Sequence, residues 1–197
     1  MNFLAHIYLS NHNDDLAVGN FIADSVRGKD YLNFPEPIQN GILLHRAIDT
    51  FTDTHPIFRQ STKRLHSRYS HYSGVIVDIY YDHFLAKNWN NYSEIPLENF
   101  ADHFYKVLLS HHNILPKRIQ NLMPYMIENN WLVNYASIDG IANVFSGMNR
   151  RTRFKSGMDK ATSELEAHYT DFESEFTLFF EELREFSAEQ LKIVSST

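Results

Sequence analysis

The stretch that decides the fold runs Val75-Ile76-Val77-Asp78-Ile79-Tyr80-Tyr81-Asp82-His83-Phe84-Leu85. Its β-branched and aromatic residues suit a strand by propensity alone. The chain offers no clear partner strand, however, and a lone strand is not a stable structure. A helix that is apolar nearly all round is a buried helix. The stretch therefore predicts a central helix in an all-α fold.

The composition supports one globular helical domain. The chain has 197 residues, a length that fits a single domain with a substantial core, so we expect one domain over residues 1–197. Hydrophobic residues make up 43% of it, which excludes a disordered protein. Its 7 Gly and 6 Pro are few for a sheet-rich protein that must turn often.

Several classes of protein are excluded by composition and charge. No stretch approaches the ~20 apolar residues of a membrane span, and residues 1–6 lack the charged leader of a secretory signal. A net charge of −6 argues against general nucleic-acid binding, which leaves a basic footprint. Without cysteine there is no disulfide and no thiolate metal site. We therefore expect a cytoplasmic protein.

Other segments also carry helix signals: proline or a capping residue at the start, and apolar residues three and four apart. The predicted helices cover residues 14–26, 38–51, 56–68, 97–109, 117–126, 137–148 and 161–186. Gly28 lies where the first of these would end.

Asp78 and Asp82 are the first candidate site. Residues four apart share one face of a helix, and two buried anions repel unless a cation lies between them. The cation could be an arginine or a metal ion, and spacing favours the metal. His83 is rotated about 100° from Asp82 around the helix, so the two side chains need not converge.

A second cluster lies thirty residues earlier, where His45 and Asp49 project together and Asp53 follows a turn later. The alternative is that Asp49 and Asp53 form ion pairs with Arg46 or Arg59. Imidazole and carboxylate ligands without sulfur suit Mn, Fe, Mg or Zn. Such a centre points to phosphoester hydrolysis, although the spacing does not name a substrate.

Two single residues could also contribute. His6 lies in an apolar amino-terminal segment, where a core histidine bonded to the backbone is the default. Asp24 could simply pair with Arg27. Taken alone, neither residue predicts a site.

The sequence resembles the acyl carrier protein phosphodiesterase family in an ordered series of short pieces along nearly the whole chain. The pieces are residues 1–6, Gly19-Asn20, Ala23-Asp24, Val26-Arg27-Gly28, Gly41, His45-Arg46, Ile48-Asp49, Thr52-Asp53, Asp78, Asp82-His83-Phe84-Leu85, Trp89, Trp131-Leu132-Val133, Tyr135, Gly147-Met148 and Ala167-His168-Tyr169. The resemblance implies an enzyme that removes 4′-phosphopantetheine from holo-acyl carrier protein. It also implies a divalent metal, manganese first, with magnesium or iron as alternatives.

The resemblance further implies a distant relation to the HD phosphohydrolases, which are α-helical enzymes with a His-Asp dipeptide at the metal. Here the dipeptide is reversed, as Asp82-His83, and no His-Asp dipeptide occurs in the chain. We therefore expect an HD-phosphohydrolase-like helical fold but cannot copy individual ligand roles from those enzymes.

On this basis we predict one metal pocket between helices. Its predicted ligands are His6, Asp24, His45, Asp49, Asp78 and Asp82. Arg27 and Arg46 are the predicted residues that balance phosphate charge, because guanidinium matches phosphate oxygens with two parallel bonds. His83 would protonate the departing serine oxygen or orient Asp82.

The implied protein partner is acidic, as is this chain, so attraction would need a local basic patch. The candidates are Arg150-Arg151 with Arg153 and Lys155, and Lys63-Arg64 with Arg68. Two other functions stay open: a metal phosphohydrolase acting on a small nucleotide or phosphoester, and a non-enzymatic helical module whose acids are ordinary ion pairs.

Overall fold

The computed structural model describes residues 1–194, and within them the chain forms helices and no strand. The α-helices are α1 (Phe3–Tyr8), α2 (Asp14–Ile22), α3 (Glu36–Thr54), α4 (Pro56–Tyr69), α5 (Ser73–Lys87), α6 (Leu97–Ser110), α7 (Lys117–Glu128), α8 (Trp131–Asn134), α9 (Ile138–Arg151), α10 (Ala161–Ala167) and α11 (Tyr169–Val194). Short 3₁₀ turns join them, among them Ala23–Ser25 directly after α2. The prediction of an all-α fold is confirmed.

Helix α5 is the central helix that its sequence predicts. Tyr80 and Tyr81 point to different sides of it, and both are fully buried. The Tyr80 ring packs edge-on against Phe145 of α9, and Tyr81 packs edge-on against Phe58 of α4. Because α5 is buried on both sides, propensity for a strand is overridden by tertiary packing.

Helices α2 and α3 approach each other unusually closely, and glycines make this possible. A Cβ atom at Gly19 would lie 2.1 Å from the carbonyl oxygen of Ile38, and one at Gly41 would lie 2.2 Å from that of Leu16. Any larger residue at either position would force the helices apart. The close approach brings the last turn of α2 against the middle of α3.

Several predicted helix starts are confirmed by the caps. The Asn13 side chain accepts a hydrogen bond from the Leu16 amide at the start of α2. Pro56 occupies the first turn of α4, where its missing N–H costs nothing. The Ser137 side chain accepts a hydrogen bond from the Gly140 amide and caps the start of α9.

Two predicted helices were wrong in extent. The helix predicted over residues 161–186 is two helices, because the backbone at His168 leaves the helical region (φ −126°, ψ 29°). The helix predicted over residues 14–26 ends at Ile22 and passes into a 3₁₀ turn. The short helices α1 and α8 were not predicted, since neither is long enough to show a hydrophobic period.

None of the helices in the described part of the chain combines the length and the apolar character that crossing a membrane requires. The likeness to HD phosphohydrolases stays a prediction. So does the expectation that residues 1–197 form a single domain.

Candidate metal centre

The candidate site is a pocket of about 170 Å³ between α1, α2, α3 and α5. It is lined by Met1, Asn2, Phe3, His6, Asn20, Phe21, Asp24, His45, Asp49, Thr52, Asp53 and Asp78. Five of the six predicted metal ligands therefore reach the pocket. Asp82 is the exception.

Two buried histidines and one carboxylate form the centre of this pocket. The rings of His6 (α1) and His45 (α3) stack with their centroids 3.9 Å apart. Asp49 lies one turn after His45, and its two oxygens divide between the rings: Oδ1 is 3.3 Å from His6 Nε2, and Oδ2 is 3.1 Å from His45 Nε2. The three side chains place their ligand atoms within 4.8 Å of one another.

Asp24 completes this group from the 3₁₀ turn after α2. Its Oδ1 lies 3.5 Å from His45 Nε2, and its side chain is largely exposed. The group consequently has a closed side, formed by the histidines, and an open side at Asp24. The pairings expected for an ordinary structural role are not the ones observed, because Asp24 contacts His45 instead of Arg27.

Each histidine donates a hydrogen bond from its other ring nitrogen to Asn20. His6 Nδ1 lies 2.7 Å from the Asn20 side-chain oxygen, and His45 Nδ1 lies 2.7 Å from the Asn20 backbone oxygen. Both oxygens can only accept, so both Nδ1 atoms carry hydrogen. In each neutral ring the lone pair is then on Nε2, directed at Asp49.

The charges of the pocket are strongly coupled. Burial lowers the pKa of His6 to about 4, and the charge on His45 adds to this effect. Burial also disfavours a charged His45, but Asp24 and Asp49 outweigh it and raise the pKa of His45 to about 9. Burial opposes ionisation of Asp49, yet its contacts with His45 and His6 hold the pKa of Asp49 well below its usual range. At neutral pH His6 is thus neutral, whereas His45 carries a second ring proton, on Nε2, between the carboxylates of Asp24 and Asp49.

This donor set fits a divalent cation. His6 Nε2 is buried and has no hydrogen-bond partner among the described residues, despite the nearby Asp49 oxygen. Adjacent donors of an octahedral ion with bonds of about 2.1 Å are separated by about 3 Å, close to the spacings observed here. Two imidazoles and carboxylate oxygens without sulfur suit Mn, Fe, Mg or Zn. His6, His45, Asp49 and Asp24 are the residues that would hold it.

Asp82 takes a different place from the one predicted. Its carboxylate accepts hydrogen bonds from the backbone N–H groups of Asn2 (3.2 Å), Leu4 (2.7 Å) and Ala5 (3.3 Å), at the start of α1. Asp82 is fully buried, and burial raises its pKa to about 7. The amino-terminal charge and these N–H groups lower the pKa but only partly offset the effect of burial. The structure therefore makes Asp82 the cap of the helix that carries His6.

Asp78 lines the pocket but is also engaged. Its Oδ1 accepts a hydrogen bond of 2.7 Å from the amino group of Met1. Burial raises the pKa of Asp78, and this ammonium group partly opposes the rise. The Met1 ammonium group thus opposes the rise in pKa of both acids of α5, and backbone N–H groups additionally compensate Asp82.

The two predicted arginines lie outside the pocket lining. Arg27 is exposed, three residues beyond Asp24. Arg46 donates a hydrogen bond of 3.2 Å to the carbonyl of Val26 and lies over the ring of Tyr31. Arg46 thereby holds the segment that follows Asp24.

His83 is also remote from the pocket lining. Its Nδ1 lies 2.8 Å from the carbonyl of Tyr135, and its Nε2 lies 2.8 Å from the hydroxyl of Tyr169. Both ring nitrogens are therefore engaged with groups that follow α8 and begin α11. The rotation of about 100° from Asp82 takes the ring to a different interface.

Sequence reasoning missed Asn20 and Thr52. Asn20 is fully buried in the otherwise apolar run of α2, and an amide in such a run needs partners, which was the available signal. The Thr52 hydroxyl is buried at the pocket and has no hydrogen-bond partner among the described residues. Nothing in its local sequence indicated this.

The chain is similar to proteins of one known family. A family profile described as acyl carrier protein phosphodiesterase matches residues 1–183. An acyl carrier protein phosphodiesterase of Photorhabdus laumondii is 34% identical over 181 residues, which cover 91% of each chain. Proteins of the same description from Yersinia enterocolitica and Escherichia coli O157:H7 are each 33% identical over 91% of this chain and 94% of their own. No solved structure matches. The chain belongs to the acyl carrier protein phosphodiesterase family.

Proposed function

We propose that this chain is a metal-dependent phosphodiesterase that removes 4′-phosphopantetheine from holo-acyl carrier protein, with manganese as the first candidate metal. The observation that carries the proposal is the convergence of His6 Nε2 and His45 Nε2 on Asp49, with Asp24 at the open side. Family membership supports the substrate, and the donor set supports the metal.

The residues of the pocket divide the work by position. The two imidazoles and Asp49 would hold a divalent ion, together with Asp24 at the open side. A bound divalent ion supplies positive charge to phosphoryl oxygens and makes water a nucleophile at neutral pH. Arg27, exposed three residues after Asp24, would balance further phosphate charge as the substrate enters.

The carrier must dock at the rim of this pocket. The bond to be cleaved joins phosphate to a serine on the body of the carrier, so the carrier surface itself has to reach Asp24 and Asp49. Lys29 is exposed in the segment that follows the 3₁₀ turn carrying Asp24. Arg59 of α4 is also exposed, and it donates a hydrogen bond of 3.0 Å to the carbonyl of Asp53, a pocket residue.

The basic surface at the rim continues along α4 to Lys63. Among residues 1–194, Lys29, Arg59 and Lys63 form no ion pair, so their charge is available to an acidic partner. Arg64 and Arg68, which sequence reasoning grouped with Lys63, are instead paired with Glu175 and Glu164. We name Lys29, Arg59 and Lys63 the rim cations.

The other predicted patch, around Arg150, lies on a different side of α5. Helix α9 packs on α5 where Phe145 meets Tyr80. Tyr80 is rotated about 200° from Asp78, which faces the pocket. The rim cations are therefore the better docking surface for a bond that must be cleaved in the pocket.

The decisive experiment is mass spectrometry of holo-acyl carrier protein incubated with this protein and Mn²⁺. We expect loss of the phosphopantetheine arm, no loss with excess chelator, and no loss with Asp49→Asn. Asp102→Asn, which removes an exposed carboxylate on α6, is the matched control and should behave as wild type. If the phosphopantetheine arm stays intact under all conditions while small phosphodiesters are hydrolysed, the protein is a small-molecule phosphohydrolase and this proposal is wrong. No metal bound and no hydrolysis at all would favour a non-enzymatic helical module.

A further inference from the structure

One buried amide orients both histidines of the candidate metal centre. Asn20 supplies its side-chain oxygen to His6 and its backbone oxygen to His45, each at 2.7 Å. All three residues are nearly or fully inaccessible to solvent. A single residue of α2 is therefore linked to two candidate ligands that come from different helices.

The orientation of the Asn20 amide is itself fixed. Its Nδ2 donates to the carbonyl oxygen of His6 (2.8 Å) and to the hydroxyl of Ser10 (3.1 Å). Ser10 in turn donates its hydroxyl hydrogen to the same His6 carbonyl, so its oxygen is left to accept from Asn20. Turning the amide over would set its oxygen against the His6 carbonyl and its NH₂ against His6 Nδ1. The network therefore allows one amide orientation, with Oδ1 facing the ring.

This orientation fixes the tautomer of His6. Because Asn20 Oδ1 can only accept, His6 must carry its hydrogen on Nδ1 and its lone pair on Nε2. Nε2 is the atom that faces Asp49 and has no hydrogen-bond partner among the described residues. With the other tautomer, a hydrogen on Nε2 would occupy the position of a metal.

The backbone oxygen of Asn20 acts on His45 in the same way and is available for a structural reason. Asn20 lies in the last turn of α2, which ends at Ile22, where carbonyls lose their intrahelical partners. The contact of Gly19 with Ile38 and of Gly41 with Leu16 brings this turn against α3. The freed carbonyl can then reach His45.

We propose that Asn20 is the positioning residue of the metal centre, whose side-chain oxygen holds His6 in the Nδ1–H tautomer and whose backbone oxygen holds His45. The proposal rests on the proposed function in that it concerns the ligands of that centre. Its side-chain half is separable, because the backbone oxygen survives any substitution at position 20. His45 is therefore an internal control.

The test compares wild type with Asn20→Leu, which removes the acceptor at similar size, and with Asn20→Asp, which keeps it. The first measurement is the tautomer of His6 in the metal-free protein at pH 7, from ¹H–¹⁵N correlations of ¹⁵N-histidine. We expect Nδ1–H in wild type and Asn20→Asp, and a loss of that preference in Asn20→Leu. The second measurement is the Kd for Mn²⁺ by calorimetry, which should weaken by about 10–100-fold in Asn20→Leu and recover in Asn20→Asp.

These measurements distinguish a folding defect from a loss of histidine orientation. Circular dichroism must show the wild-type helix content in each variant. In the Zn²⁺-loaded variants, His45 should keep its hydrogen on Nδ1. If Asn20→Leu does not fold, the proposal is judged on Asn20→Asp, and loss of the Nδ1–H tautomer there would overturn it. Retention of Nδ1–H on His6 in folded Asn20→Leu would overturn it as well. If wild type binds no Mn²⁺, the proposed metal function is refuted. If His6 nevertheless loses its Nδ1–H preference in Asn20→Leu, the orienting role of Asn20 still holds.

Discussion

Asp49 holds one oxygen 3.3 Å from His6 Nε2 and the other 3.1 Å from His45 Nε2, so a single carboxylate joins two imidazoles from different helices. Replacing this aspartate by asparagine keeps the shape and removes the charge that both rings face. We expect the Asp49→Asn variant to fold and to bind Mn²⁺ at least about 100-fold more weakly, since loss of an outer partner alone costs about 10–100-fold. Calorimetry with Mn²⁺ measures this, with Asp102→Asn as the control. Unchanged affinity in Asp49→Asn would remove Asp49 from the ligand set.

The metal-free protein should lose stability as the pH rises from about 6.5 to about 9. Asp24 and Asp49 outweigh the effect of burial and raise the pKa of His45 from 6.5 to about 9 in the folded state. The favourable contribution is fully present below the unfolded pKa and is lost as the pH passes through the folded one. A shift of this size corresponds to at most about 3 kcal/mol. Denaturant unfolding across this pH range measures it, and His45→Asn should remove the difference while His66→Gln, exposed on α4, should not.

The proton on Nε2 of charged His45 competes with a metal ion for that atom. Binding of Mn²⁺ should therefore strengthen as the pH rises from about 7 towards about 9, with release of close to one proton per ion at neutral pH. Calorimetry in buffers of different ionisation enthalpy counts the protons released. His6, whose pKa is lowered to about 4, contributes none at neutral pH. Affinity that does not change with pH would show that His45 is not displaced from its carboxylates by the ion.

Asp82 should prove to be structural. It accepts three N–H hydrogen bonds at the start of α1 and does not line the pocket. We expect Asp82→Ala to lower the free energy of unfolding by about 2 kcal/mol, the upper range for loss of a helix cap. At temperatures where the variant is folded, the number of Mn²⁺ ions bound should match wild type. A stable variant with fewer bound ions would return Asp82 to the ligand set that the sequence predicted.

How far the sequence could predict this molecule depended on distance along the chain. The buried character of α5 and the pairing of His45 with Asp49 are local, since a helical period places residues four apart on one face. The partners of Asp82 were out of reach because its hydrogen-bond donors lie 77–80 residues away, at the start of α1. Asn20 was similarly hidden, since its two partners come from separate helices. Charge spacing correctly indicated that Asp78 and Asp82 needed compensation but could not show that it comes from the Met1 ammonium group and, for Asp82, also from backbone N–H groups.

The last prediction concerns the docking surface. Charge reversal of the rim cations, as the combined variant Lys29→Glu, Arg59→Glu and Lys63→Glu, should raise the KM for carrier protein by about 10-fold or more at low salt and leave kcat nearly unchanged, because these side chains steer an acidic partner and do not enter the pocket. Steady-state kinetics with holo-carrier protein measure this.

The matched control is Arg150→Glu with Arg151→Glu and Arg153→Glu, which changes the net charge equally on the far side of α5. Added salt should raise the wild-type KM towards that of the rim variant, since screening weakens exposed charges. If the Arg150 variant raises KM and the rim variant does not, the carrier docks on the surface that the sequence first indicated. The arm would then have to reach the pocket from a face of α5 that Tyr80 and Phe145 close off.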